Sequence, residues 1–387
     1  MLDYAALAAG LDEWAQYHAG QAERLREALG AARRTLAGLE RERMAAKASR
    51  ARTSWLLAIP LEAPSGVCRP PAAPEAYTAL AADGSQIAPD RQEVASCFLL
   101  NVGSVRLHYG PQAAAQLESR PWVVFRDEDM VTDYGDRQVP VDAKALADRR
   151  RLLEAARLAE MLAETAPPAL AMVDGSLIWW QLQADDQRYR EQMITAYLRL
   201  FEQARAVGIP VVGYISEPAG REVANTLRLL ACPEPAPDCD RCPFPSGPRP
   251  CRDQDLPMVA DAPLFAGLLR PGERSAVFES DSPVLRRYGE HHVCFCYLNV
   301  GQEIARLEFP GWCARDPEML ARAHALALDQ AGKGRGYPVA LAEAHEQAVV
   351  RAADREVFYR MLESRLVGRQ LPARRSAKQL AKRGGSL

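Results

Sequence analysis

The sequence contains no apolar run near the roughly 18–20 residues that span a bilayer. Its opening, Met1-Leu2-Asp3-Tyr4, has neither the basic cluster nor the apolar core of an export signal. No membrane-spanning helix and no export are expected, and a cytoplasmic location is expected with them. Aromatic residues are scarce at 7%, and 25 glycines and 28 prolines in 387 residues fall short of collagen-like or low-complexity proportions. Charge of one sign is lacking too: 48 basic residues nearly cancel 50 acidic ones, so no bulk basicity announces a polyanionic partner. One local bias remains, a C-terminal tail at 372–387 that carries Arg374, Arg375, Lys378, Lys382 and Arg383 without an acid. Such a tail suits either a frayed, solubilising end or a hold on a polyanion. The nine cysteines are an odd number for a chain without an export signal. Reduced thiols are expected, with metal before disulfide wherever they cluster.

Residues 1–60 read as a helical arm, rich in Ala, Leu, Glu and Arg, with Leu25, Leu29, Leu36 and Leu39 on one stripe. That stripe calls for dimerisation, a partner surface or packing back on its own chain. A proline-rich linker follows, with Pro60, Pro64, Pro70, Pro71 and Pro74, and the main domain is placed at 75–365. Strands are expected at 76–82, 93–101 and 105–109, with a tight Val102-Gly103-Ser104 connection between the last two. Then come a helix over 142–164, a strand at 169–173, a helix over 187–207 and a strand at 211–215. A strand near 275–278, a hairpin of 293–298 with 303–309, and a closing helix over 339–362 complete the pattern. The order β-β-β-α-β-α-β is a three-strand antiparallel meander extended by parallel strands. It is a ribonuclease-H-like mixed α/β sheet flanked by helices.

Two of these strands end in one tripeptide, Asp83-Gly84-Ser85 and Asp174-Gly175-Ser176. Asp-Gly is a common turn opener, but in this order the two strands are neighbours, and converging aspartates need cations to hold them. A third carboxylate is sought on the helix before Asp174. Glu160 shares a solvated stripe with Arg157 and Glu164, whereas Glu154 lines up with Leu158 and Met161 at the edge of the apolar face, which favours Glu154. In the closing helix His345 falls in line with Leu341, Ala348 and Ala352, an inward histidine that is either a satisfied core residue or a group aimed at the carboxylates. Tyr337, just before Pro338 at the helix start, is ambiguous in the same way.

These segments together resemble the NurA nuclease family. The resemblance is carried by Ala82-Asp83-Gly84-Ser85-Gln86, by Met172 to Leu177, and by Gly213 to Pro218 with Arg221 to Arg228. Glu303 to Trp312 and Tyr337-Pro338 with Ala344-His345 complete it, over about residues 75 to 360. It implies a homodimeric, manganese-dependent DNA nuclease (or one using magnesium), a 5′-to-3′ exonuclease with some single-strand endonuclease activity. It also implies work beside a hexameric HerA-type ATPase in DNA end resection and double-strand-break repair. By the same likeness Asp83, Asp174 and Glu154 hold the metal, with Glu160 still open for the helical position, while Tyr337 and His345 complete the catalytic set. Arg306 and Tyr337 are expected at the DNA strand. Glu217 stands where many members have a basic residue, so Arg221 or Arg228 would take over that phosphate contact.

A second feature is the series Cys232, Cys239, Cys242 and Cys251, threaded with prolines. Four thiols within twenty residues suit a tetrahedral site, structural zinc or alternatively an iron–sulfur cluster, in a loop insertion too proline-rich to fold by burial. Two other functional classes remain open at this level. One is a non-catalytic DNA-end or ATPase adaptor with a vestigial site. The other is an ATP-binding enzyme of the actin and sugar-kinase type, against which stands the lack of a glycine-rich adenosine loop.

Overall fold

A computed structural model describes residues 3–88, 97–134, 137–184, 186–242, 251 and 259–371. The basic tail expected at 372–387, and part of the strand expected at 93–101, lie outside the described residues. In chain order the helices are α1 (Tyr4–Ala37), α2 (Arg41–Arg50), α3 (Ala143–Ala163), α4 (Gln187–Val207), α5 (Glu222–Leu230), α6 (Asp261–Ala266), α7 (Gly311–Arg315), α8 (Pro317–Lys333), α9 (Val339–Ala348) and α10 (Ala352–Gly368). The strands are β1 (Ala58–Pro60), β2 (Val67–Cys68), β3 (Tyr77–Ile87), β4 (Phe98–Tyr109), β5 (Ala114–Val124), β6 (Val131–Asp133), β7 (Gln138–Pro140), β8 (Ala169–Asp174), β9 (Val211–Ile215), β10 (Arg274–Ser275), β11 (Phe278–Ser280), β12 (Val293–Asn299) and β13 (Ile304–Pro310).

The chain divides into two compact units. One comprises residues 1–72, 175–178 and 213–328; the other comprises residues 73–174, 179–212 and those from 329 onward. In the first, β11, β12 and β13 form an antiparallel set edged by β1. Its core stacks Phe265 on Tyr297 and Phe278 on Phe295. Ala28, Ala32, Leu36 and Met44 join that same core, so the second half of α1 packs back on its own chain. The first half leaves Tyr4, Leu7, Leu11, Trp14 and Tyr17 exposed.

Behind β13 lies a buried ionic cluster. Arg306, 3% exposed, pairs with Glu222 at 2.7 Å and with Glu308 at 2.8 Å, and its guanidinium lies 3.7 Å from the Phe295 ring centroid. The other oxygen of Glu308 accepts from Ser176 Oγ at 2.7 Å and Leu177 N at 2.8 Å. Asp261 sits nearby at the start of α5, accepting from Val223 N, Ala224 N and Tyr297 Oη. Burial pushes its carboxyl up to about 6, against the pull of those three donors, and the neighbouring charge of Glu222 adds to the rise.

The second unit carries the ribonuclease-H-like order. β3 pairs antiparallel with β4, β4 with β5, and β3 parallel with β8. Ala171 N donates to Pro210 O, which brings the entry to β9 alongside β8. The helices begin where the caps demand: Asp142 accepts from Ala145 N, Asp186 accepts from Arg188 N and Tyr189 N, and Gly208, at φ +68°, closes α4 in the left-handed region. Two expectations are corrected here. The Val102-Gly103-Ser104 segment is not a turn: β4 runs unbroken from Phe98 to Tyr109, and the meander is β3, β4 and β5. The closing helix is also two helices, interrupted after Ala348.

Candidate active site

The two Asp-Gly-Ser copies do different structural work. In the parallel pair of β3 with β8 the register runs Thr78 with Ala169 up to Ala81 with Met172. Continued by two residues, it sets Asp83 level with Asp174 on strands about 4.8 Å apart, and the period-two alternation points both carboxylates to one face. The second copy ends its strand, as expected, and turns the chain with Gly175 at φ +88°. The first is not: β3 continues through Asp83 to Ile87, paired with β4 throughout.

Gly84 is needed for another reason, since a Cβ built there would stand 2.5 Å from Glu154 Oε1. The absent side chain leaves the space through which Glu154 of α3 reaches the aspartates. Glu154 is half-buried, and the desolvation of its carboxyl pushes it up to about 7. Arg150 and Arg151 pull the other way, while Asp83 and Asp174 reinforce the rise. Asp174 is raised as well, by burial first and by Asp83, against a hydrogen bond from Tyr337 and the proximity of His345. Glu160 lies elsewhere, exposed and paired with Arg120 and Arg157. Of the two glutamates, the fold brings Glu154 to the aspartates.

The rim is completed by α9. His345 Nδ1 lies 2.8 Å from Asp83 Oδ2, with the histidine side chain 61% exposed. The inward apolar position expected for His345 is thereby corrected: Leu341, Ala344 and Ala348 take the buried face, and the helix ends before Ala352. A cavity of about 420 Å³ opens beside the carboxylates and is lined also by Lys144, Arg150, Arg151 and Gln181. Arg151 lies 5.0 Å from the ring centroids of both Trp179 and Tyr197. The basic wall of this cavity was missed in the sequence, although Arg150 and Arg151 stand one turn before Glu154.

The remaining candidates lie in the first unit. Arg221 is exposed, and Arg228 lies 4.0 Å over the Trp55 ring while reaching toward the Cys251 carbonyl. Arg306, expected at the DNA, is instead enclosed between Glu222 and Glu308. In the cysteine series, Cys239 N is tied to Arg52 O and the Cys232 carbonyl to Lys47. The Cys251 thiol is raised by burial first and then by nearby Cys232 and Cys239. Among the described residues, the group of possible ligands whose atoms lie within 4.8 Å of one another is Glu279, His292 and Cys294, not the cysteine series. There Arg315 already approaches His292 Nε2 at 3.2 Å and supplies a positive charge.

Comparison with known proteins bears on this arrangement. The family model of the NurA domain matches residues 77–350. This chain belongs to the NurA family. Among solved structures it is similar to the NurA nuclease from Sulfolobus solfataricus, at 12% identity and a TM-score of 0.48, covering 78% of this chain and 88% of that one. No curated protein matches. NurA nucleases are metal-dependent in general, and the residues present fit a divalent cation. Three carboxylates converge, two of them raised by burial first and further by neighbouring aspartates. Glu154 Oε1 is buried without a hydrogen-bond partner, although Arg150 Nε stands 3.2 Å away. All-oxygen sites of this kind suit manganese or magnesium. Among the described residues, no helix is long and apolar enough to cross a membrane.

Proposed function

We propose that this NurA protein is a metal-dependent deoxyribonuclease of the cytoplasm, with its nuclease domain at residues 75–365 and its active site at Asp83, Glu154, Asp174, Tyr337 and His345. The observation that carries the reading is the convergence of Asp83, Glu154 and Asp174 beside His345 and Tyr337 on one face of a ribonuclease-H-like sheet. Asp83, Asp174 and Glu154 would hold manganese or magnesium, which when bound would supply Lewis-acid activation of the attacking water and charge stabilisation for the leaving 3′-oxygen. Tyr337 donates to Asp174 and fixes its carboxylate. His345, bonded through Nδ1 to Asp83, presents its other ring nitrogen on an exposed rim, where a phosphate oxygen arrives. Arg150 and Arg151, on the wall of the adjoining cavity, would meet a phosphodiester strand, while Lys144 there is held by Asp148 at 2.8 Å.

The finer assignments rest on the family resemblance: 5′-to-3′ exonuclease action with single-strand endonuclease activity, a homodimer, and partnership with a HerA-type hexameric ATPase in end resection. Arg221 and Arg228 are the proposed outer contacts to DNA. The cysteine series is proposed to take zinc or an iron–sulfur cluster, which would draw Cys232, Cys239, Cys242 and Cys251 together.

The test is nucleotide release from 5′- and 3′-labelled single-stranded and blunt duplex DNA, with manganese, with chelator, and with Asp83→Ala. Manganese-dependent cleavage that disappears in the variant supports the reading, and the labelled end gives the polarity. A wild type that is inert both alone and with a cognate hexameric ATPase overturns it in favour of an adaptor.

A further inference from the structure

His345 and Asp83 are 262 residues apart in sequence, and their contact depends on where α9 is set down. Three residues of β3 and β4 meet the end of that helix. Gly103 is the cross-strand partner of Asp83, and a Cβ there would fall 2.4 Å from both Ala344 O and Ala348 N. The helix therefore rests on bare backbone opposite the aspartate. Two residues along, Ser85 and Asn101 face each other across the same pair of strands. Both donate to a single acceptor, the Ala348 carbonyl at the C-terminus of α9: Ser85 through Oγ, and Asn101 through Nδ2 at 2.8 Å. Asn101 Nδ2 also reaches Gln347 O at 3.3 Å. The amide cannot turn over without loss, because a flip would set Oδ1 against the Ala348 and Gln347 carbonyls; in the orientation present, Ser119 Oγ, on β5, donates to Oδ1 at 3.0 Å. At the other end of α9, the fully buried Gln330 accepts from Ala340 N.

The geometry points to Ser85 and Asn101 as positioning residues that deliver His345 to Asp83. They bind the terminal carbonyl of α9 one turn beyond the histidine, and Gly103 sets the depth at which the helix lies. The serine of the first Asp-Gly-Ser is thus part of the site without touching substrate. An unsatisfied C-terminal carbonyl is what a helix end offers for such a clasp, and two donors on one oxygen fix position as well as rotation. This inference rests on the nuclease reading for its consequence in catalysis, but its geometric content stands apart from it.

The experiment exploits the small number of histidines, six in the chain. In the ring-region ¹H–¹³C spectrum of the metal-free full-length protein, the His345 cross-peak is identified by its loss in His345→Gln. Asp83→Asn marks where that peak moves when the bond to the aspartate is weakened. Ser85→Ala and Asn101→Ala are each expected to shift the peak toward the Asp83→Asn position while the other histidine peaks hold, and Ser85→Thr, which keeps the hydroxyl, is expected to restore it. A His345 peak unmoved in both alanine variants overturns the inference. Should Asn101→Ala disturb every histidine peak by unfolding, Ser85→Ala, which leaves the Asn101 bond in place, decides alone. In DNA cleavage, Ser85→Ala is expected to lower kcat about 10- to 100-fold with little change in KM, as ångström misplacements do, and to cost nothing further in a His345→Gln background. Full additivity of the two overturns the inference. A wild type that cleaves no DNA refutes the proposed function instead, and the spectrum still decides the positioning.

Discussion

On the proposed reading, Glu154 gives up stability in the metal-free protein for its place at the site. Its carboxyl is buried, held near 7, and left with one oxygen unbonded. In the metal-free protein at pH 8 it is therefore forced into a charged form that the fold disfavours. Glu154→Gln is expected to abolish cleavage and yet raise the melting temperature of the chelated protein at pH 8, with a gain of about 3 kcal/mol at most from a shift of this size. Calorimetry with excess chelator checks this, and the gain is expected to vanish near pH 4, where the carboxyl is protonated both folded and unfolded. Asp261 gives an independent pH signature. Its folded value of about 6 lies above the ordinary aspartate value of 3.8, so the folded state holds the extra proton between those values. Stability contributed by this group is present below about pH 4 and lost as pH rises toward 6. Asp261→Asn is expected to flatten that part of the urea-denaturation profile. It also costs about 1–3 kcal/mol, because an amide cannot accept from Val223 N, Ala224 N and Tyr297 Oη together.

At the scale of elements, two glycines in mid-strand are more telling than those in turns. Gly84→Ala is expected to displace Glu154, with a loss of cleavage larger than the loss of stability. Gly103→Ala is expected to lift α9 off the sheet and cost about 1–3 kcal/mol in urea as well as activity. On β13, Arg306→Ala leaves two buried carboxylates without their cation, and a loss of about 3–5 kcal/mol is expected, read from denaturation midpoints. The elements that were legible in the sequence had their own local signals. Asp142 and Asp186 start α3 and α4, Gly208 ends α4, and the apolar runs at 169–174 and 211–215 become β8 and β9 where they were expected. The choice of Glu154 over Glu160 followed from the helical stripe alone. What misled was non-local. Gly103 looks like a turn because the helix that needs its bareness lies more than 230 residues later, and His345 looks inward on a helical wheel that continues past Ala348, where the structure stops it.

At the scale of the molecule, each unit encloses its own aromatic or aliphatic core, and the carboxylates, Tyr337 and His345 all belong to the second. A chain ended before Val339 keeps Asp83, Glu154 and Asp174 but lacks α9, and is expected to be inert on labelled DNA under conditions where the full chain cuts. The separation of Asp83 from His345 by 262 residues also orders events in time. At synthesis rates of roughly 5–20 residues per second, the first aspartate precedes the histidine from the ribosome by roughly 13–50 s. On the proposed reading, the nascent polypeptide has its acidic residues but no finished blade during that interval, and the capacity to cut is expected only once α9 has emerged and docked.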